Sequence, residues 1–433
     1  MSKYFQPEIE TASVEEIRAI QDERLVKIVK HVYENVELYR ERMDAAGIKP
    51  EDIRCLEDIQ KMPFTVKNDL RDHYPYGLFA EPMENIVRLH ASSGTTGKPI
   101  VAGYTKDDLA NWAECIARLV TAAGATKNDI AQISFGYGLF TGAFGLHQGL
   151  EKIGTTIIPI SSGNTERQIN VMHDFGATIL IATPSYALYM AEVAEKMGLL
   201  DNIHIRYGIF GSEASTEEMR HELEKRWGCI ATENYGLTEV MGPGVSGECL
   251  YKCGMHINED HFLCEIIDPE TGEVLPDGEQ GEMVITTLTK QGMPMIRYRT
   301  RDITRIITEK CECGRTTARM EKIKGRSDDM LKIRGVNLVP SQIESVLLGV
   351  EGVGPHYEII VSREGYMDKI EVKVELTAEE ALENFAELEK LRRSISGKLR
   401  TVCQLDIPVK FVSPNTLKRF VGKAKRVTDL RKL

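Results

Sequence analysis

The segment from residue 177 to residue 211, ATILIATPSYALYMAEVAEKMGLLDNIHIRYGIFG, decides the fold class. It holds two short apolar runs rich in β-branched residues, ATILIAT (177–183) and IRYGIFG (205–211), separated by a stretch of helical character. Further runs of the same kind are NIVRLHA (85–91), IAQISF (130–135), TTIIPI (155–160) and IATENYG (230–236). Such alternation predicts βα units and a mainly parallel sheet, and therefore an α/β fold.

The regions on either side of this core have different patterns. Residues 14–45 carry apolar positions at helical spacing, which predicts one or two amphipathic helices. From about residue 250 to residue 326 the turns become denser, and the segment DPETGEVLPDGEQGEMVITTL indicates turn-linked antiparallel strands. We therefore predict a large N-terminal domain over residues 1–326, whose last part, about 250–326, is a β subdomain.

A second, smaller unit follows. The runs HYEIIVSR (356–363) and KIEVKVEL (369–376) flank a turn at Glu364 and Gly365, and a charged helix is expected at roughly 378–401. This pattern predicts a small α+β domain over residues 327–433, which is long enough to fold around its own core.

Composition narrows the classes of partner. The chain has 433 residues, of which 42% are hydrophobic and 27% are charged, with a net charge of -11. A negative balance disfavours nucleic acid and anionic membrane surfaces, so a small-molecule substrate is expected. The first residues lack a basic stretch followed by an apolar one, and no run of about 18 apolar residues occurs. We expect a cytoplasmic protein with no membrane partner.

The segment SSGTTGKP (92–99) follows a predicted strand, at the kind of position where open α/β sheets bind ligands. Its glycines, hydroxyls and single lysine suit a phosphate group, and it carries no negative charge. A P-loop is excluded because it would need Gly at position 92 and Ser or Thr at position 99. A flexible surface turn is the alternative. The candidate phosphate-binding residues are Ser92, Ser93, Gly94, Thr95, Thr96, Gly97 and Lys98.

Together with NYGLTE (234–239), YRTRD (298–302) and GRSDDMLKIRG (325–335), this loop resembles the adenylate-forming family of acyl-CoA synthetases. More narrowly, FGYGLFTGAFGLHQGLEKIG, TPSYALYMAE and DDMLKIRGVNLVPSQIE resemble the phenylacetate-CoA ligases of that family. The resemblance implies a large domain followed by a mobile C-terminal domain. It also implies that ATP, with Mg²⁺, converts an aryl acid to an acyl-adenylate, which coenzyme A then takes up as a thioester with release of AMP.

In NYGLTE the resemblance assigns Glu239 to Mg²⁺, Thr238 to the α-phosphate and Tyr235 to the adenine face. These residue types suit a hard cation, a phosphoryl oxygen and a π system. Asn234 and Gly236 belong to the same nucleotide-binding segment. A plain strand-turn-helix junction is the alternative.

Other nucleotide contacts come from later segments. Asp302 resembles the family's ribose-binding acid, because a carboxylate accepts hydrogen bonds from both ribose hydroxyls. Arg326 is expected at the same nucleotide, and Ser212 and Glu213 in GSEAS (211–215) at the adenine. Taken alone, the charged segment YRTRD is equally consistent with a solvated turn.

The C-terminal unit is expected to supply a catalytic lysine. The resemblance assigns this role to Lys423 in GKAKRV and the hinge to Asp328. In the family such a lysine enters the site for adenylation, and the small domain then rotates so that the thiol reaches the acyl carbonyl. The lead-in SPNTLKRFV departs from the usual arginine-bearing one, and a solvated basic tail is the alternative.

The acyl pocket is expected near GYGLFTGAFG (136–145) and just after NYGLTEV. Its candidates are Tyr137, Phe140, Met241 and Pro243, because aromatic and small residues together leave a flat apolar slot. Phe144 is a weaker candidate. Ordinary core packing is the alternative.

Cysteines cluster in one part of the chain. Cys249, Cys253, His256, His261 and Cys264 are followed by the pair Cys311 and Cys313. Thiolates with imidazole predict a structural tetrahedral zinc site, and the ligands we select are Cys249, His256, Cys311 and Cys313. Cys253 is the likeliest replacement for one of these four ligands. Simple reduced cysteines without a metal are the alternative to a zinc site. The resemblance to phenylacetate-CoA ligases gives no support to a zinc site.

The sequence is consistent with three hypotheses about function. The first is an arylacetate-CoA ligase, and the second is a ligase of the same fold that uses another aryl acid or an acceptor other than coenzyme A. The third is a non-enzymatic nucleotide-binding module, against which Glu239 and Lys423 argue. The family resemblance also suggests a homodimer.

Overall fold

The structure is a computed structural model that describes residues 3–92, 99–327, 331–334, 336–348, 350–364, 367–378, 385–421 and 424–432. Its helices are α1 Pro7–Glu10, α2 Val14–Asn35, α3 Glu37–Ala45, α4 Lys67–Asp72, α5 Lys106–Ala122, α6 Thr141–Lys152, α7 Thr165–Asp174, α8 Pro184–Lys196, α9 Glu217–Trp227, α10 Pro340–Leu347 and α11 Phe385–Cys403.

The strands, in chain order, are β1 Arg88–Ala91, β2 Val101–Tyr104, β3 Ile130–Ile133, β4 Thr156–Ile158, β5 Ile179–Ala182, β6 Tyr207–Gly211, β7 Ile230–Leu237, β8 Gly242–Glu248, β9 Met255–Ile257, β10 Phe262–Ile267, β11 Gly281–Thr287, β12 Tyr298–Thr304, β13 Ile306–Ile307, β14 Arg319–Met320, β15 Gly325–Arg326, β16 Leu331–Ile333, β17 Val336–Leu338, β18 Val353–Glu364, β19 Met367–Leu376, β20 Val409–Val412 and β21 Val427–Asp429.

The largest sheet has the strand order β13-β14-β9-β8-β7-β6-β5-β3-β4. Its strands β4, β3, β5, β6 and β7 are parallel, as the alternating apolar runs predict. Strand β5 is buried along its whole length, because helices cover both faces of a parallel sheet. The turn into α8 is specified locally: the Thr183 side chain accepts a hydrogen bond from the Tyr186 amide, and Pro184 occupies the first turn.

One strand predicted for the parallel sheet lies in a different sheet. The run NIVRLHA gives β1, which pairs antiparallel with β2 and does not join the parallel sheet. The segment 92–99 therefore connects two antiparallel strands instead of leaving a parallel one. At its base, Ser92 and Ile100 hydrogen-bond to each other, with the Ser92 Oγ accepting from the Ile100 amide at 2.9 Å. A short apolar run cannot by itself specify its partner strand, which is why the sequence misplaces β1.

The strands after residue 240 divide between two sheets. Strands β8, β9, β14 and β13 extend the largest sheet with antiparallel pairings. Strands β10, β11, β12 and β15 form a separate antiparallel side sheet. The side sheet brings Asp302 of β12 opposite Arg326 of β15.

The C-terminal region has its own sheet, with the order β20-β19-β18-β21. Strands β18 and β19 form the predicted antiparallel hairpin, while β20 and β21 are parallel to their neighbours. Apolar residues of this sheet, α10 and α11 form a separate core cluster that includes Ile343, Ile359, Val372 and Leu399.

Candidate active site

A cavity of about 310 Å³ lies where β6 and β7 end and where the C-terminal region faces them. Seven of the fourteen nucleotide-binding residues selected from the sequence line this one cavity. They are Ser212, Glu213, Asn234, Tyr235, Gly236, Asp302 and Arg326. The carboxyl ends of the parallel strands β6 and β7 meet at one edge of the sheet, which brings GSEAS and NYGLTE together, while Asp302 and Arg326 reach the cavity from the side sheet.

Two of the residues that line the cavity, Tyr235 and Asp302, are hydrogen-bonded to each other. The Tyr235 hydroxyl donates to Asp302 Oδ2 at 2.7 Å, and Arg326 Nη1 lies 3.6 Å from Asp302 Oδ1. Burial, reinforced by the Asp302 carboxylate, raises the pKa of Tyr235 well above its usual range. The phenol therefore remains a donor at neutral pH and holds the orientation of the carboxylate.

Two other wall residues have structural partners. The Asn234 side-chain amide donates a hydrogen bond from Nδ2 to the Phe210 carbonyl at 2.8 Å and so links β7 to β6. The Glu213 carboxylate accepts from the Ser185 amide at 2.6 Å and from the Ala424 amide at 2.9 Å. Glu213 thus joins the start of α8 to the C-terminal region.

Gly236 occupies a place where no side chain fits. A Cβ there would lie 1.8 Å from the Gly242 carbonyl oxygen, and the pairing of β7 with β8 changes register between Tyr235 and Gly236. The close approach of the two backbones lets the chain turn from the nucleotide wall into Thr238 and Glu239.

Thr238 and Glu239 are both buried, with 9% and 7% of their surfaces exposed. The Thr238 hydroxyl lies 3.3 Å from the Thr141 hydroxyl at the start of α6, and Glu239 Oε1 lies 3.7 Å from Lys67 Nζ. No sequence motif indicated Lys67, because it lies far from Glu239 in the sequence.

The acyl candidates lie around the start of α6. Phe140 is the residue before Thr141 and is partly exposed, while the Tyr137 hydroxyl pairs with His147 Nδ1 at 3.0 Å. Met241 is fully buried, and the Pro243 carbonyl accepts from Trp112 Nε1 at 2.7 Å. None of these four lines the 310 Å³ cavity.

Phe144 lies in an aromatic cluster that the sequence analysis did not identify. It packs edge-on against Tyr137 at 5.2 Å and lies 5.7 Å from His90, whose ring also contacts Tyr104 and Trp112. Burial lowers the pKa of His90. The residues of this cluster come from β1, β2, α5, α6 and the segment before α6, so only tertiary packing brings them together.

The C-terminal region contributes cavity residues to which no role was assigned from the sequence, although Arg426 lies in the segment GKAKRV. Arg426 lies with its guanidinium 4.3 Å from the Tyr357 ring centroid and donates to the Ser185 hydroxyl at 3.1 Å. Farther along α8, His356 Nε2 lies 2.7 Å from Glu192 Oε1. Arg419 contacts the same carboxylate at 3.7 Å and pairs with Glu375 at 2.8 Å.

Some predicted residues lie outside the described residues. They are Ser93, Gly94, Thr95, Thr96, Gly97 and Lys98 of the loop, the expected hinge residue Asp328, and Lys423. The candidate zinc ligands Cys249, His256, Cys311 and Cys313 are described, and they come together.

Comparison with protein families places these features in context. Residues 8–290 match the model of the AMP-binding enzyme family, and residues 335–431 match the AMP-binding enzyme C-terminal domain. Phenylacetate-coenzyme A ligase of Thermus thermophilus is 47% identical over 99% of this chain and 100% of its own length. The enzymes of the same name from Pseudomonas putida and Escherichia coli are 49% and 47% identical, each over 98% of this chain and over 96% and 97% of their own lengths.

The chain belongs to the phenylacetate-coenzyme A ligase family. As a member of this family it is an acid–thiol ligase that uses ATP to form an acyl-adenylate and then transfers the acyl group to coenzyme A. The expectation of a catalytic enzyme is confirmed, and the reading as a non-enzymatic module is excluded.

Solved structures of 2-hydroxyisobutyryl-CoA ligase extend the comparison. In its postadenylation state with 2-HIB-AMP, that enzyme is 28% identical, matches 100% of this chain and 93% of its own, and gives a TM-score of 0.94. In its thioesterification state with 2-HIB-AMP and CoA the TM-score is 0.74 at 29% identity, over 100% of this chain and 93% of its own. The adenylate-forming fold is confirmed, and the arrangement of the ligase chain resembles the postadenylation state. Of its described helices, none is long and apolar enough to cross a membrane.

Proposed function

We propose that this ligase activates phenylacetate, or an arylacetic acid of similar size, and converts it to the CoA thioester. The observation that carries the proposal is the identity of 47–49% to phenylacetate-coenzyme A ligases over almost the whole chain. The aromatic surroundings of Phe140 and Tyr137, which precede Thr141 in the sequence, support an aryl acid, because the Thr141 hydroxyl lies 3.3 Å from that of Thr238.

In the first half-reaction the substrate carboxylate attacks the α-phosphorus of ATP and pyrophosphate leaves. We assign Asp302 to the ribose hydroxyls, with Tyr235 and Arg326 holding its carboxylate, and the backbone of Ser212 and Glu213 to the adenine. Fixed donors at the place where phosphoryl charge develops lower the barrier. Thr238 and the segment from Ser92 to Lys98 supply such donors, and Lys423 supplies a cation.

A magnesium ion fits the donor set around Glu239. Mg²⁺ is usually held by one or two carboxylates together with phosphate oxygens of the substrate, and Glu239 is a buried carboxylate that follows directly on the nucleotide wall. Glu239 Oε1 lies 3.7 Å from Lys67 Nζ, so in this structure the carboxylate is paired with a lysine. When bound, the ion would neutralise phosphate charge, and we assign Thr238 and Lys67 to orienting the phosphates.

In the second half-reaction the thiol sulfur of coenzyme A attacks the acyl carbonyl and AMP leaves. We propose that residues 327–433 turn about Asp328 relative to residues 1–326 between the two steps. The contacts His356–Glu192, Ala424–Glu213 and Arg426–Ser185 are among those that join these two units, so we expect them to break in this turn.

An acceptor other than coenzyme A, or another aryl acid, is the competing assignment. AMP release from ATP and Mg²⁺ is measured with a panel of aryl, arylacetic and fatty acids, each with and without coenzyme A. Strong CoA-dependent release with phenylacetate or a near relative supports the proposal. Pyrophosphate exchange without formation of a CoA thioester would refute coenzyme A as the acceptor. A preference for fatty acids would refute an arylacetic acid as the substrate.

We also propose that the ligase acts in the cytoplasm as a homodimer. Its substrates ATP and coenzyme A are available there, and its free cysteines suit a reducing compartment. Light scattering of the purified protein tests the dimer, and a mass of about 48.6 kDa in solution would contradict it.

A further inference from the structure

A group of thiols and one imidazole lies at the edge of the largest sheet, apart from the residues assigned to the reaction. In the described part of the chain, Cys249, His256, Cys311 and Cys313 each offer one ligand atom, and these atoms all lie within 4.8 Å of one another. All four residues are buried. We propose that they bind one zinc ion that has a structural role.

The distances fit a tetrahedral ion. Zinc–sulfur bonds of about 2.3 Å place two sulfur ligands of a tetrahedron about 3.8 Å apart. Cys249 Sγ and Cys311 Sγ are 3.7 Å apart, and His256 Nε2 lies 3.2 Å from Cys313 Sγ. A disulfide would need the sulfurs about 2 Å apart, so the cysteines are arranged around a shared centre and not bonded in pairs.

Neighbouring groups orient the ligands. His256 Nδ1 lies 3.2 Å from the Thr317 hydroxyl, which leaves Nε2 directed at the thiols. The Arg315 amide donates to Cys313 Sγ at 3.4 Å, a contact that favours a thiolate. Ligating histidines in proteins usually have such a partner on the second ring nitrogen, because it fixes the tautomer and the ring orientation.

The ligands come from separate segments of the sheet edge. Cys249 follows β8, His256 lies in β9, and the two remaining cysteines lie in the connection from β13 to β14. Strands β13 and β14 have only two residues each, so backbone pairing alone holds this edge weakly. An ion bound to all three segments would cross-link the edge.

The N-terminal segment packs on the same connection. The Tyr4 hydroxyl donates to the Cys313 carbonyl at 3.0 Å, and Arg315 Nε donates to Glu10 Oε2 at 2.7 Å with both side chains buried. The cluster therefore also determines where the first residues are held. On the other side, Met255, the neighbour of His256, lines the 310 Å³ cavity.

Cys253 is the fourth thiol of this neighbourhood. It lies 3.6 Å from Cys311 Sγ but is exposed and is not a member of the mutually close group. The geometry thus selects His256 over Cys253, a choice that sequence spacing leaves open. Cys253→Ser should retain the metal.

The test is elemental analysis of protein purified without added metal and without chelators. We expect about one equivalent of zinc per chain in the unmodified protein, in Cys253→Ser and in Cys264→Ser, a cysteine outside the cluster. Cys311→Ser and Cys313→Ser should each lose at least about four-fifths of it. Less than about a fifth of an equivalent in the unmodified protein, or iron or copper in its place, overturns the proposal.

Cobalt substitution keeps the proposal testable if a ligand variant does not fold. Unmodified protein stripped of metal and loaded with Co²⁺ should show the intense visible bands of tetrahedral cobalt and thiolate charge-transfer bands. Weak octahedral bands, or a disulfide between cluster cysteines detected by mass spectrometry, would contradict the site. Chelation should lower the thermal midpoint by several degrees, which separates a structural site from the catalytic assignments above.

Discussion

The Tyr235 hydroxyl donates a 2.7 Å hydrogen bond to the carboxylate of Asp302. The two residues come from different sheets, since Tyr235 lies in β7 of the largest sheet and Asp302 lies in β12 of the side sheet. The bond therefore fixes a ribose-binding carboxylate of one sheet against the nucleotide wall of the other.

Replacing Tyr235 with Phe should weaken ATP binding. A hydrogen bond to a charged group contributes roughly 1.5 kcal/mol, so the KM for ATP should rise about tenfold with little change in the KM for the acid. Steady-state AMP release measures both constants. Tyr33→Phe is the matched control, because Tyr33 donates to Asp44 at 2.9 Å on the exposed surface. A similar effect in both variants would show that the Tyr235 hydroxyl has no special role.

Replacing Lys423 with Ala should separate the two half-reactions. Without the cation, pyrophosphate exchange should fall about a hundredfold or more, because charge developing at phosphorus loses a counter-ion. Thioester formation from supplied acyl-adenylate should change little. Lys425→Ala is the control, since Lys425 is exposed and lies two residues away. Equal loss in both half-reactions would remove Lys423 from its assigned role.

Replacing Glu192 with Gln should disfavour the present arrangement of residues 327–433 against residues 1–326, because it weakens the contact of Glu192 with His356. Burial raises the pKa of Glu192, but the hydrogen bond with His356 and the charge of Arg419 bring it below its usual value. The contact is therefore complete at neutral pH and is lost as the pH falls through this lowered pKa.

We expect adenylation by the Glu192 variant to slow roughly threefold to tenfold, because a contact that joins the two units in this state is weakened. Thioester formation from supplied acyl-adenylate should be maintained or faster. His173→Ala, which removes an exposed histidine–aspartate pair, is the control. Slower thioester formation with normal adenylation would reverse the assignment of the contact.

Replacing Phe140 with Ala should affect the acid and not the nucleotide. Phe140 is 37% exposed and precedes Thr141, whose hydroxyl meets Thr238. Loss of its aromatic surface should raise the KM for phenylacetate about tenfold and leave the KM for ATP unchanged. The adjacent Leu139 is 66% exposed, so Leu139→Ala is a suitable control. An unchanged KM for the acid would place the acyl pocket elsewhere.

Replacing Lys290 with Met should stabilise the ligase. The Lys290 ammonium is fully buried, lies 4.5 Å from the Tyr104 ring centroid and has no hydrogen-bond partner in the described ranges. Burial lowers the pKa of Lys290 to about 8, although Asp108 and Glu239 oppose the shift. Methionine is of similar length and carries no charge.

The stabilisation should depend on pH in a defined direction. Below about pH 8 both folded and unfolded protein carry the proton, so the cost of the buried charge, roughly 3 kcal/mol at most, is fully present. Between about pH 8 and the usual lysine pKa near 10.4 only the unfolded chain holds it, so the unmodified protein gains stability as pH rises. Denaturant unfolding from about pH 7 to about pH 9.5 should show the advantage of Lys290→Met shrinking. A constant advantage would exclude charge burial as its cause.

The sequence by itself determined the adenylate-forming fold class and the motifs that line the nucleotide cavity. Apolar runs of the right length and spacing are sufficient to specify βα units, and GSEAS and NYGLTE lie at the ends of the neighbouring parallel strands β6 and β7, while YRTRD begins β12 of the side sheet. It also indicated Cys249, His256, Cys311 and Cys313 as candidate zinc ligands, with Cys253 left open as a replacement.

Only the tertiary structure decided which distant residues meet. Pairing of β1 with β2, the contact of Lys67 with Glu239 and the aromatic cluster around His90 join segments far apart in sequence, and periodicity carries no information about such partners. The preference for His256 over Cys253 likewise follows from burial and the direction of each side chain. Local pattern specifies an element, whereas the packing of elements against one another specifies a site.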